Sequence, residues 1–267
     1  MHTYLINLDR APERLQRMNG EFAQLGLEFI RVAGVDGAQL SDEEIKRYQP
    51  EAGTFGLLSR GEVGCFMSHR LCWQAIADGP SEFGAVFEDD ILVSPRAAEL
   101  LKNIDWIPAD ADIVKLDAAP FATFIDRHRI ALPEGTGLHR LCFNHYCAGG
   151  YILSRTVAAR LLKETEIFTA PVDEVMFNVV SPIFHDLQIY QMVPAICTQE
   201  RYVLPPDTIE GPESYIENIG NRKFKGRLKR RKKVLRELYS GLNRIGTWVG
   251  IRQRLIVKYD LPYCEGV

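Results

Sequence analysis

None of the six cysteines falls in a CxxC pair or a zinc-finger spacing, which leaves no cysteine signal for a structural zinc or a redox couple. Cys65, Cys72, Cys142, Cys147, Cys197 and Cys264 are scattered and read as reduced, mostly buried thiols of a cytosolic protein. No run of about 18 apolar residues occurs, so no membrane-spanning helix is expected. The first residues carry no basic leader followed by an apolar segment, and no signal peptide is expected. Histidine is also scarce, with six in 267 residues. That scarcity weighs against phosphoesterases, which need several dispersed metal ligands.

What is present is ordinary globular composition, 46% hydrophobic and 25% charged, in a chain long enough to bury a sizeable core. The net charge of -3 hides an asymmetry: residues 222–236 hold ten Lys or Arg and no acid, leaving 22 basic against 35 acidic residues elsewhere. The expected organisation is an α/β domain over residues 1–205 and a basic, partly amphipathic helical extension over 206–267. Leu238, Tyr239, Leu242, Ile245, Trp248 and Ile251 follow the basic run. That pairing suits a helix lying on an anionic membrane. A nucleic-acid patch has the same composition; the apolar residues favour the membrane, and no nucleic acid is expected.

The chain opens strand–helix–strand. Residues 3–8 are a compact apolar run, Pro12 suits a first helical turn, and Leu15, Met18, Phe22 and Leu25 recur at helical spacing. Such a unit belongs to a parallel sheet with ligands at the carboxyl ends of its strands. Asn7, Asp9, Arg10, Arg14 and Asp36 fall there, as candidates for a nucleoside and its phosphates or as ordinary caps and surface groups. No GxGxxG or GxxxxGK[ST] occurs in this region, which disfavours dinucleotide and P-loop enzymes.

The chemistry centres on residues 85–91, a short apolar strand that stops abruptly at Glu88, Asp89 and Asp90. Three adjacent carboxylates resist burial unless a cation joins them. Strand alternation lets Glu88 and Asp90 point together at a divalent metal, Mn²⁺ or Mg²⁺, while Asp89 points away. A solvated acidic turn is the competing reading. Lys115, in an apolar strand, can meet a phosphate or a carboxylate. Glu62 and His69 flank a helix start, as ligand contacts or as a cap and a core histidine. Gly149, Gly150 and Tyr151 form a sugar platform or only a tight turn. Asp173, beside Glu174 at a helix start, is the candidate general base, and His185 a further metal candidate. Residues 118–137 read as irregular loop and as a seat of specificity.

Taken together, residues 4–10 with Arg14, 35–37, 61–69, 86–90, 149–154 and 171–173 resemble glycosyltransferase family 25, whose bacterial members build lipooligosaccharide. The resemblance implies a GT-A-like nucleotide-sugar fold with a mostly parallel central sheet flanked by helices. It also implies a UDP-sugar donor, commonly UDP-galactose, a divalent metal with Mn²⁺ ahead of Mg²⁺, a glycan or glycolipid acceptor and an inverting transfer. The acidic triplet occupies the place of the family's metal-binding motif, here Glu-Asp-Asp. With the basic extension, this implies a peripheral protein on the cytoplasmic face of the inner membrane. A non-catalytic nucleotide-sugar or glycan-binding protein and a metal-dependent phosphoesterase are the rivals.

Overall fold

The computed structural model describes residues 1–205 and 227–260; expectations for 206–226, including the start of the basic run, and for 261–267 lie outside the described residues. The opening apolar run forms β1 (His2–Asn7). Pro12 starts α1 (Pro12–Gln24), which buries Met18 and Phe22, and β2 (Ile30–Ala33) returns parallel to β1. Ser41 with Glu44 and Ser59 with Glu62 form capping boxes that start α2 (Asp42–Tyr48) and α3 (Arg60–Ala77). Each box satisfies backbone donors that a helix start leaves open. The chain continues through β3 (Phe83–Glu88), β4 (Ile91–Val93), α4 (Ala97–Lys102), β5 (Ile113–Lys115) and β6 (Asp117–Ala118). Then come β7 (Ala122–Asp126), β8 (Ile130–Ala131), β9 (Gly137–Arg140), β10 (Gly150–Ser154) and α5 (Arg155–Glu164). The last elements are α6 (Val172–Phe177), α7 (Pro182–Asp186), β11 (Ile189–Val193), β12 (Cys197–Gln199), α8 (Arg227–Trp248) and β13 (Arg252–Ile256).

Eight strands form the main sheet in the order β2-β1-β3-β10-β5-β11-β9-β8. The α/β class expected from the sequence is present, and six of the eight strands share one direction, with two reversed strands making the sheet mixed. β10 runs antiparallel to both neighbours, and β9 to both of its own. Strand direction depends on how the chain travels between distant elements, which local apolar runs do not record. The stretch 118–137 differs from the irregular loop expected: it contains β7 and β8, paired with β13 and β9. Their partners are remote or short, so no local periodicity announces them.

Strand alternation divides the core. Tyr4, Val86, Tyr151, Ile113 and Ile189 face α3 and α5 to α7, whereas Leu5, Phe87, Ile152 and Val114 face α1 and α4. A three-stranded sheet, β4-β12-β6, covers the end where β1 and β3 finish, and its register sets Gln199 opposite Ile91. That register brings a remote glutamine beside the acidic triplet. The described part of the C-terminal segment packs on the body: β13 pairs with β7, Tyr239 of α8 stacks on His185, and Arg96 meets Asp260 at 2.8 Å.

Candidate active site

β3 ends on Glu88, and the turn before β4 carries Asp89 and Asp90 and splits the triplet. Asp89 turns toward β1 and α1, accepting hydrogen bonds from Asn7 Nδ2 at 2.7 Å and Arg14 Nη1 at 3.3 Å. Asn7 also donates to the Ala11 carbonyl and accepts from Arg31. Arg17 donates to the carbonyls of Asp89 and Ile91, at 2.7 and 2.9 Å. The first helix thus clamps the turn that carries the triplet, and Asn7, Arg14 and Asp89 are joined to one another as its framework.

Glu88 and Asp90 face the other way and share one amide. Gln199 Nε2 donates to Glu88 Oε2 at 3.0 Å and lies 3.5 Å from both Asp90 oxygens. Arg201 donates to Gln199 Oε1 at 2.7 Å, which fixes the amide's orientation. Burial first and Glu88 second push the Asp90 carboxyl up to about 7. For Glu88, burial is outweighed by the His69 hydrogen bond and charge, Arg201 and Gln199, so its carboxyl lies below the ordinary range. Two converging half-buried carboxylates are an oxygen donor set that a hard divalent cation satisfies, and the amide N–H₂ already meets them where positive charge is wanted. The residues therefore fit the metal that the resemblance implies.

Behind Glu88 runs a buried relay. Trp73 Nε1 donates to Tyr151 Oη at 2.8 Å, Tyr151 Oη lies 2.8 Å from His69 Nδ1, and His69 Nε2 lies 3.2 Å from Glu88 Oε1. With Glu88 ionised, Nε2 carries the proton and Nδ1 accepts from the tyrosine, which leaves every polar atom partnered. Tyr151 is wholly buried, so it orients His69 rather than offering a face to sugar. Cys65, one helical turn before His69, places Sγ 3.8 Å from Glu88 Oε1. Cys65, His69 and Glu88 form the group of metal-capable donors that converges among the described residues, without His185. His185 instead meets the Val179 carbonyl at 2.6 Å and stacks on Tyr239 at 4.7 Å between ring centroids.

Asp173 does reach the site. Its Oδ2 accepts from Cys147 N at 3.0 Å and its Oδ1 from Glu174 N at 2.9 Å. Burial raises its carboxyl while the two backbone N–H groups and Lys115 pull it down. The Cys65 thiol records the convergence: burial, then Glu88, Asp173 and Asp90 in that order, push it well up. Lys115 is wholly buried, bonded to Asp117 Oδ1 at 2.5 Å and the Cys147 carbonyl at 2.6 Å, and lies over the Phe177 ring. Burial pushes the Asp117 carboxyl up to about 6 against that lysine's pull. Asp117 Oδ2 accepts from Gly149 N at 3.1 Å. Lys115 thus braces the turn at Cys147, where φ is 71°.

Other expected residues have local duties. Asp9 is exposed and pairs with Arg31, and Arg10 meets Asp36 at 2.9 Å. Asp36 also accepts from Ala38 N to cap a 3₁₀ turn, and Glu62 closes the capping box of α3. A Cβ on Gly150 would stand 2.3 Å from Cys197 Sγ, so the residue serves packing between the two sheets; at Gly149 the nearest atom would be 3.2 Å away.

Sequence reasoning missed Gln199, Arg201, Trp73, Cys65 and Asp117. A signal existed for the first two. Gln199, Glu200 and Arg201 follow an apolar strand as abruptly as the acidic triplet does, whereas Trp73 reads as ordinary helix packing.

Residues 1–176 match the family described as Glycosyltransferase family 25 (LPS biosynthesis protein). The lipooligosaccharide biosynthesis protein lic2B of Haemophilus influenzae is 26% identical over 217 residues, 78% of this chain and 79% of that protein. The lacto-N-neotetraose biosynthesis glycosyltransferase LgtE of Neisseria meningitidis serogroup B is 29% identical over 216 residues, 75% of this chain and 74% of its own. Among solved structures, a glycosyltransferase involved in glycosylation of the major capsid of PBCV-1 aligns with TM-score 0.42 at 10% identity, covering 88% of this chain and 98% of that one. A likeness that distant carries no functional argument. The sequence match spans most of the chain, including the triplet and Asp173, and the chain belongs to glycosyltransferase family 25.

Proposed function

We propose that the protein is an inverting glycosyltransferase that moves a sugar from a UDP-sugar, galactose first among the candidates, onto a lipooligosaccharide or related surface glycan. The observation that carries this reading is the pairing of Glu88 and Asp90 on the Gln199 amide, with Asp173 brought in from a second segment and held by the N–H groups of Cys147 and Glu174. The family supports sugar transfer, and the lipooligosaccharide and lacto-N-neotetraose biosynthesis roles of lic2B and LgtE support a surface-glycan acceptor. Glu88 and Asp90 would hold a divalent metal, Mn²⁺ ahead of Mg²⁺, whose chemistry is to offset the charge gathering on the diphosphate.

Asp173 takes the proton of the acceptor hydroxyl as its oxygen bonds to the anomeric carbon; the opposite bond breaks and its electron pair leaves with UDP. The backbone N–H groups of Cys147 and Glu174 hold the base in position, and burial raises its affinity for the proton. The His69–Tyr151–Trp73 relay fixes the Glu88 carboxylate. We also propose peripheral attachment to the cytoplasmic face of an anionic membrane. Support comes from α8, whose Val234, Leu238, Leu242, Ile245 and Trp248 are all more than half exposed. No described helix is long and apolar enough to cross a membrane.

The test is UDP release from a panel of UDP-sugars with and without Mn²⁺, in wild type, Asp90→Asn and Asp173→Asn. Metal-dependent turnover of one donor is expected, lost in Asp90→Asn. Transfer to an acceptor should fall about 10²–10⁴-fold in Asp173→Asn. Full activity of Asp90→Asn would remove the metal assignment, and UDP binding without any turnover would favour a non-catalytic binding protein.

A further inference from the structure

Phe121, Tyr146 and Trp248 are the large aromatic side chains that stand exposed among the described residues, at 46%, 36% and 87%. Trp248 lies on the open side of α8. The other two touch each other beside the active site. Their rings meet edge to face, 5.3 Å between centroids and 77° between planes, and Phe121 meets Tyr202 at 6.4 Å and 88°. Phe121 is thus set edge to face against both tyrosines, and it and Tyr146 remain exposed.

Three segments build this aromatic cluster, and each is tied to the proposed chemistry. Tyr146 precedes Cys147, whose N–H donates to the Asp173 carboxylate. Tyr202 Oη lies 3.3 Å from Cys147 Sγ, and Arg201, which orients the Gln199 amide, lies over the Tyr202 ring at 4.9 Å. Phe121 follows β6, the strand that begins with Asp117. Leaving large apolar rings in water forgoes burial energy, and these two adjoining rings make an exposed apolar patch. A pyranose is the ligand such rings suit. The C–H groups on one sugar face lie against an aromatic face, while its hydroxyls remain free for Arg201 and Asp173.

We propose that Phe121 and Tyr146, backed by Tyr202, are the platform on which the acceptor sugar stacks. The assignment rests on the glycosyltransferase reading above and adds the acceptor side of that same site. Specificity for the acceptor then resides in the segment between β6 and β7 and in the turn before β10.

The experiment titrates the methyl β-glycosides of glucose, galactose and N-acetylglucosamine against the full chain by saturation-transfer NMR, with UDP titrated separately. Phe121→Ala and Tyr146→Ala should weaken the best glycoside on the order of tenfold. Phe121→Trp and Tyr146→Phe should restore binding to near the wild-type level. Leucine at either position keeps apolar area but has no ring face, and should bind as poorly as alanine. If the alanine variants bind like wild type, if leucine rescues as well as an aromatic, or if UDP binds and no glycoside does, the platform is overturned while the nucleotide-sugar reading stands. Failure of UDP to bind wild type overturns that reading instead.

Discussion

Glu174 sits next to the proposed base without sharing its duty. Burial first, and the charge of Asp173 second, push its carboxyl from 4.5 up to about 7, against the pull of Asn178, Lys232 and Arg236. The folded protein therefore holds this proton more tightly than the unfolded chain does. The resulting stabilisation is complete below about pH 4.5 and is lost as pH rises through about 7. Glu174→Gln keeps an oxygen for the Asn178 amide and has no charge to bury. At pH 8 the variant should melt higher than wild type, by roughly 1–2 kcal/mol after allowance for partial exposure. The difference should shrink toward pH 5, and melting curves at the two pH values decide it; equal stability at pH 8 would mean that the ionised Glu174 is already well accommodated. Asp173 was legible in the sequence because it stands beside Glu174 at one helix start, where capping accounts for only one of the two carboxylates. Its partner Cys147 was not, because a backbone N–H carries no side-chain signature.

Helix α8 has two unlike faces. Tyr239 and Asn243 dock it, the first stacking on His185 and the second donating to the Cys142 carbonyl at 3.0 Å. Leu238, Leu242, Ile245 and Trp248 form the outer row, flanked by Arg230, Arg231, Lys233 and Arg236. The row needs a nonaqueous partner to remove it from water, and the flanking charges match an anionic surface. Leu242→Ser with Trp248→Ser should cut co-sedimentation with phosphatidylglycerol-containing vesicles at least about tenfold and leave helix content unchanged, since both side chains are more than half exposed. Raised salt should weaken wild-type binding. Undiminished vesicle binding in the double variant would remove this helix as the anchor. The amphipathic character was readable from spacing alone, but which face docks was settled by Tyr239 and Asn243, whose partners are remote in sequence.

Across the whole molecule, β13 joins the C-terminal segment to β7, and Asp260 reaches Arg96. A chain ending at Trp248 leaves an open edge on β7 and removes Val257 from its small core cluster with Ala118 and Ala195. It should melt several degrees lower and associate through that edge; an unchanged melting temperature and a monodisperse elution would falsify the bracing role. The same long-range weave explains what reading the chain could and could not reach. Capping boxes at Ser41 and Ser59, the helix after Pro12 and the strand ending in Glu88 rest on contacts within a few residues, so composition and spacing determined them. The carboxylate pair and Asp173 were visible as residues for the same reason. The direction of β10, the pairing of β7 with β13, the arrival of Gln199 and Arg201 beside the triplet, and the turning of Asn7 and Arg14 toward Asp89 depend on segments that meet only when the sheet assembles. Those contacts join groups tens to more than a hundred residues apart, and only the tertiary structure brings them within bonding distance.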